Sequence, residues 1–106
     1  MTVLIYTKND IRELYNKIKE VVTVKESRVS LNEANITTTS GMIITIRHLT
    51  ENCRAYRKQV VLYDGKFTKE EKERMMWNLL SNGLFKKLSI NGLRSKWKVY
   101  FNRWTI

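Results

Sequence analysis

The chain has 106 residues, of which 42% are apolar and 28% charged, with 20 Lys and Arg against 10 Asp and Glu. That length and apolar fraction fit a single domain, 1–106, with one core, and they exclude a disordered tail. A single cysteine, Cys53, excludes an internal disulfide framework, and no apolar run reaches the length of a membrane-spanning helix.

Val3-Leu4-Ile5-Tyr6 reads as a short buried strand; it is too short and too poor in basic flanks for a signal peptide. With the lone cysteine, this gives the expectation of a cytoplasmic protein. A helix should follow, capped by Thr7 or Asn9, with Asp10 in the first turn where a negative charge favours the helix dipole. Ile11, Leu14, Tyr15 and Ile18 fall at i, i+3, i+4 and i+7, and Val21 and Val22 extend this apolar stripe.

The middle of the chain reads as β-structure. Arg28–Leu31 is one strand, and Ile36–Thr39 and Met42–Leu49 flank a Ser40-Gly41 turn. Arg54–Tyr63 is a further strand; its first half carries charge on both faces and should be exposed or at an edge. A second helix opens with the capping box Thr68-Lys69-Glu70-Glu71. Its buried stripe should be Met75, Met76, Leu79 and Leu80, and Gly83 should end it in the left-handed conformation.

Asn91-Gly92 is the strongest hairpin signal in the chain. A two-residue turn there pairs Ile90 with Leu93, Leu88 with Ser95, Lys86 with Trp97 and Leu84 with Val99. The opposite face then carries Phe85, Lys87, Arg94, Lys96, Lys98 and Tyr100, with basic and aromatic side chains interleaved. The expected fold is α+β: an antiparallel sheet of about five strands with two helices packed on one face, in the order β-α-β-β-β-α-β or with an extra final strand.

Charge is distributed unevenly. Residues 1–50 carry seven basic and five acidic side chains, a net of +2; residues 51–106 carry thirteen and five, a net of +8. From Leu84 onward there are six basic residues and no acid. Such a field attracts polyanions, because each Lys or Arg that neutralises a phosphate releases a counterion. Exposed aromatic rings among the cations add stacking platforms for unpaired bases. The basic–aromatic face of Phe85, Lys87, Arg94, Lys96, Lys98 and Tyr100 is therefore the main candidate site. Arg54, Arg57 and Lys58, around Tyr56, form a second patch, and the two would merge if their strands were neighbours.

Catalytic parts are few. His48 and Cys53 are the single histidine and cysteine, with no third group evident to orient a base. Asp64 and Glu70 are candidates for a metal-dependent nuclease site, but Glu70, Glu71 and Glu73 are explained by the start of the helix. No zinc spacing and no phosphate-cradling glycine motif occurs, so no metal or cofactor is expected. The sequence thus reads as a non-enzymatic nucleic-acid-binding protein. In its small size and Lys-, Asn- and Ile-rich composition it also resembles phage or mobile-element accessory proteins. That resemblance implies a different partner: an acidic surface on a host protein, such as a nucleic-acid enzyme or a CRISPR nuclease.

Overall fold

A computed structural model describes residues 1–50 and 57–88. The chain runs β1 (Thr2–Thr7), α1 (Ile11–Lys19), β2 (Val24–Val29), β3 (Glu33–Thr38), β4 (Ile43–Arg47), β5 (Lys58–Asp64), α2 (Lys69–Met76) and β6 (Leu79–Lys87). Four strands separate the helices, as the four strand segments read from the sequence require, one more than the order β-α-β-β-β-α-β allows.

The six strands form one sheet in the order β2-β3-β4-β1-β5-β6. The sheet is mixed, not antiparallel. β1 is parallel to both β4 and β5, and β5 is parallel to β6, whereas β3 is antiparallel to β2 and β4. No helix among the described residues is long and apolar enough to cross a membrane.

The helices lie on opposite faces of the sheet, which corrects the one-face expectation. Successive strand residues point to opposite faces. Val3 and Ile5 of β1 and Val60 and Leu62 of β5 pack with Ile11, Leu14, Tyr15 and Ile18 of α1. The intervening Leu4, Tyr6 and Val61 pack instead with Phe67 and with Met75 of α2. β1 is therefore covered on both sides, and Val3, Leu4, Ile5 and Tyr6 are all buried.

Local chemistry explains each element. Asp10, not Thr7 or Asn9, caps α1, accepting from the Arg12 backbone N–H at 2.9 Å. Thr7 Oγ1 instead accepts from the Asn9 backbone N–H at 3.0 Å, and Glu20 ends the helix. Val21 and Val22 lie beyond it but still pack against its core. β2 begins four residues earlier than expected. Leu31, expected in the strand, stands at the tip of the β2–β3 turn, 91% exposed. The β3–β4 turn is closed by Thr38 N–H donating to Met42 O at 2.9 Å, so three residues span it rather than two. Gly41 takes φ +90° there, a conformation that costs glycine little.

α2 opens as read, with both bonds of the capping box present between Thr68 and Glu71. It closes early, at Met76 with Trp77 as its C-cap, and Leu79–Lys87 is strand. Gly83 therefore sits in β6, where it does not cap a helix. Of the four residues expected in the buried stripe only Met75 is buried; Leu79 is half-buried, and Met76 and Leu80 are exposed. The cause is the change of period: after Met76 the chain no longer returns to one face every 3.6 residues.

Candidate nucleic-acid interface

Four of the sequence-derived site residues fall in the described part of the chain: Arg57 and Lys58 at the start of β5, and Phe85 and Lys87 at the end of β6. Arg54, Arg94, Lys96, Lys98 and Tyr100 lie outside the described residues, as do Cys53 and the Asn91-Gly92 turn. The strands carrying the two patches are neighbours, but they are parallel, with Lys58 opposite Leu79 and Tyr63 opposite Lys87. Five residue steps along β5, from Lys58 to Tyr63, therefore separate the patches, roughly 17 Å at the usual strand rise. The pairing gives the β5–β6 half of the sheet a basic group at each end.

At the carboxyl end, aromatic rings and lysines interleave. The Tyr63 and Phe85 ring centroids are 5.3 Å apart, and Phe67 meets Tyr63 edge-on at 6.0 Å. Lys72 Nζ lies 5.1 Å from the Tyr63 centroid, and Lys8 Nζ lies 4.8 Å from that of Phe67. These are cation–π distances. The rings are already engaged: Phe85 is half-buried and packs against the Leu4–Tyr6–Met75 cluster. Lys8 also donates to Glu71 at 3.2 Å. The Glu71 carboxyl is held below its ordinary value chiefly by the Thr68 backbone N–H, then by Lys8. Lys86 and Lys87 remain exposed beyond the rings.

The carboxyl ends of β1 and β5 also border a crevice of about 220 Å³ lined by Asn9, Asp10, Glu13, Leu14, Lys17 and Asp64. Its acids are occupied by local roles. Asp64 is buried and accepts from Thr7 Oγ1 at 2.9 Å and Asn9 Nδ2 at 3.1 Å. Asp10 caps α1, and Glu13 pairs with Lys17 at 3.3 Å. Glu70 stands in the first turn of α2, as the helix dipole favours. His48 is exposed, with Nδ1 2.8 Å from Thr7 O. Among the described residues no group of three or more His, Cys, Asp or Glu side chains is arranged to hold a metal ion.

The amino end holds features that the sequence reading missed. Trp77, between α2 and β6, is 70% exposed, and Met76 and Leu80 on either side of it are 49% and 42% exposed. The backbone ties this junction to the basic patch, since Lys58 N–H donates to Asn78 O at 2.7 Å. Asn78 is itself buried, and its Nδ2 donates to Tyr6 Oη at 2.6 Å, which fixes the end of α2 against β1. Next to the junction β6 bulges: Lys58 faces Leu79 but Val60 faces Leu84, so two steps along β5 match five along β6. The bulge opens a cleft of about 150 Å³ lined by Gln59, Leu80, Asn82 and Gly83. A sequence signal was present in Ser81-Asn82-Gly83, a turn-forming run that breaks the helical stripe.

No protein-family model, curated protein or solved structure matches the chain.

Proposed function

We propose that this protein is a non-enzymatic nucleic-acid-binding domain that uses the β5–β6 half of its sheet. One observation carries the reading. The paired strands have cations at both ends (Arg57 and Lys58, then Lys86 and Lys87), and the single acid on either strand, Asp64, is buried and hydrogen-bonded. The field along the pair is therefore set by the basic groups, and a phosphate backbone is the polyanion whose regular spacing suits several such contacts. The acid-free segment from Leu84 to Ile106 adds charge to the same half of the chain. The single cysteine is consistent with action in a reducing cytoplasm.

A second reading is a phage-type inhibitor that docks on a host protein's nucleic-acid groove. The exposed Met76, Trp77 and Leu80 favour it, because aromatic residues and methionine are enriched in protein interfaces. The test is affinity for labelled single- and double-stranded DNA and for RNA across a salt series. Four phosphate contacts give a slope of about −3 to −4 in log K against log salt. Arg57→Glu with Lys58→Glu, and Lys86→Glu with Lys87→Glu, should each weaken binding and flatten the slope. A folded protein that binds no oligonucleotide at low salt refutes the proposal; binding only to a host protein establishes the second reading.

A further inference from the structure

We infer that the amino end of the β5–β6 pair is a stacking site for an unpaired nucleobase, with Trp77 as its platform. The inference rests on the nucleic-acid reading and deepens it, because it specifies single-stranded over duplex substrate at this end. Three observations support it. Trp77 exposes 70% of its surface at a fixed point, since the next residue, Asn78, is anchored both to Lys58 N–H and to Tyr6 Oη. The chain beneath the exposed ring is thus already ordered, so little backbone entropy is lost when a base settles on it.

The charges around it are of the right sign. Arg57 and Lys58 adjoin the Trp77–Asn78 junction, and Arg74 lies one turn back on α2, on the same side as Trp77. None of the three forms a salt bridge within 4.0 Å among the described residues, and Arg74 Nε is buried without a hydrogen-bond partner. Arg74 is half-buried, so its guanidinium contributes positive charge beside Trp77 that no salt bridge among the described residues neutralises. The nearest acid along the chain is Glu73, one turn before Trp77 and exposed.

The contrast with the carboxyl end decides between the sites. There the rings engage one another and nearby lysines, Tyr63 with Lys72, Phe67 and Phe85, and Phe67 with Lys8, so the buried or half-buried rings at that end offer less open surface than Trp77. The bulge beside Trp77 adds a cleft with the side-chain amide of Asn82 and that of Gln59, whose Oε1 already accepts from Thr2 N–H; amides of this kind hydrogen-bond base edges.

The experiment compares oligo-dT with an abasic oligonucleotide of equal length and charge, and with a blunt duplex, by fluorescence anisotropy at low salt. The unmodified protein should bind oligo-dT roughly tenfold more tightly than the abasic strand, within the range of one base–aromatic stack. Trp77→Ala should bring oligo-dT down to the abasic level, and Trp77→Phe should retain most of the preference. Equal affinity of the unmodified protein for the two strands overturns the stacking site while leaving phosphate binding in place. Equal losses on both strands in Trp77→Ala also overturn it, since the residue would then be structural. Trp77→Ala that binds both strands normally but fails to bind a host protein assigns the surface to a protein partner instead. Absence of binding to every strand removes the nucleic-acid reading and this inference with it.

Discussion

Replacing Gly83 by alanine tests the most consequential departure from the sequence reading, the conversion of an expected helix end into a bulged strand. A Cβ built on Gly83 lies 2.4 Å from Leu79 Cδ1 and 2.8 Å from Gln59 O. Leu79 Cγ lies at 2.8 Å as well, so its side chain must shift as a whole, and the Gln59 carbonyl belongs to β5. Gln59 is further fixed by its side-chain Oε1, which accepts from the Thr2 N–H at 2.9 Å. Inserting one carbon into such a contact costs about 1–3 kcal/mol. The loss of unfolded-state freedom returns about 0.4–1 kcal/mol. The net destabilisation from these two ranges lies between about 0 and 2.6 kcal/mol. The assay is urea unfolding followed by circular dichroism, where the midpoint should fall at unchanged slope. In a thermal melt each 1 kcal/mol should appear as a decrease of about 4–8 °C. Gly41→Ala is a useful control, because its Cβ meets nothing within 4 Å and any cost there comes from its positive φ alone. A stabilising Gly83→Ala would show that β6 does not approach β5 this closely, and would remove the bulge from the site.

Two further outcomes follow from burial and capping. Met75→Ala should cost about 2–5 kcal/mol as a large-to-small change in the core, whereas Met76→Ala should stay within about 0.5 kcal/mol; equal effects in denaturant unfolding would contradict the end of α2 at Met76. Because the folded Glu71 carboxyl sits below its ordinary value of 4.5, its stabilisation is complete above that value and is lost as pH falls through the lower folded value. Glu71→Gln should accordingly flatten the acid limb of a stability–pH profile, and an unchanged limb would show that the Thr68 and Lys8 contacts do not favour the ionised form.

The elements legible in the sequence are those determined by contacts a few residues apart. The α1 stripe, the Thr68–Glu71 capping box and the β3–β4 hairpin each depend on spacing within a few residues, and each is present. The errors concern which strands pair and which face a helix covers, both set by residues far apart in sequence. One clue was available. Val3–Tyr6 and Val60–Leu62 are continuous apolar runs, and strands buried on both faces read that way, whereas half-exposed antiparallel strands alternate. Read for its period, β1 already required a layer on each side. The end of α2 was harder to see. Met75, Met76, Leu79 and Leu80 match a helical stripe, and only pairing with β5 draws Leu79 onward into a strand. Trp77 was overlooked for the same reason, since on a longer helix it would have been one more side chain of the polar face.

Parallel pairing also decides which end of the sheet is available to a ligand. α1 leaves β1 onto one face and α2 leaves β5 onto the other, so the carboxyl ends of these neighbours form a topological switch point, the usual ligand crevice of open α/β sheets. Here that crevice is filled by internal partners. Asp64 is held by Thr7 and Asn9, Asp10 by its own helix, Glu13 by Lys17, and the nearby rings by lysines. At the opposite end Trp77 and Arg57 are exposed, and Arg57 and the half-buried Lys58 and Arg74 form no salt bridge among the described residues. Polar and aromatic groups that have satisfied one another must break those contacts before gripping a ligand, and the cost is subtracted from affinity. The carboxyl end carries more of that cost than the amino end, where Trp77 is open though Gln59 Oε1 is taken by Thr2 N–H, so the bulged amino end of β5–β6 is where base recognition costs less, with the carboxyl-end lysines contributing charge for the phosphate backbone.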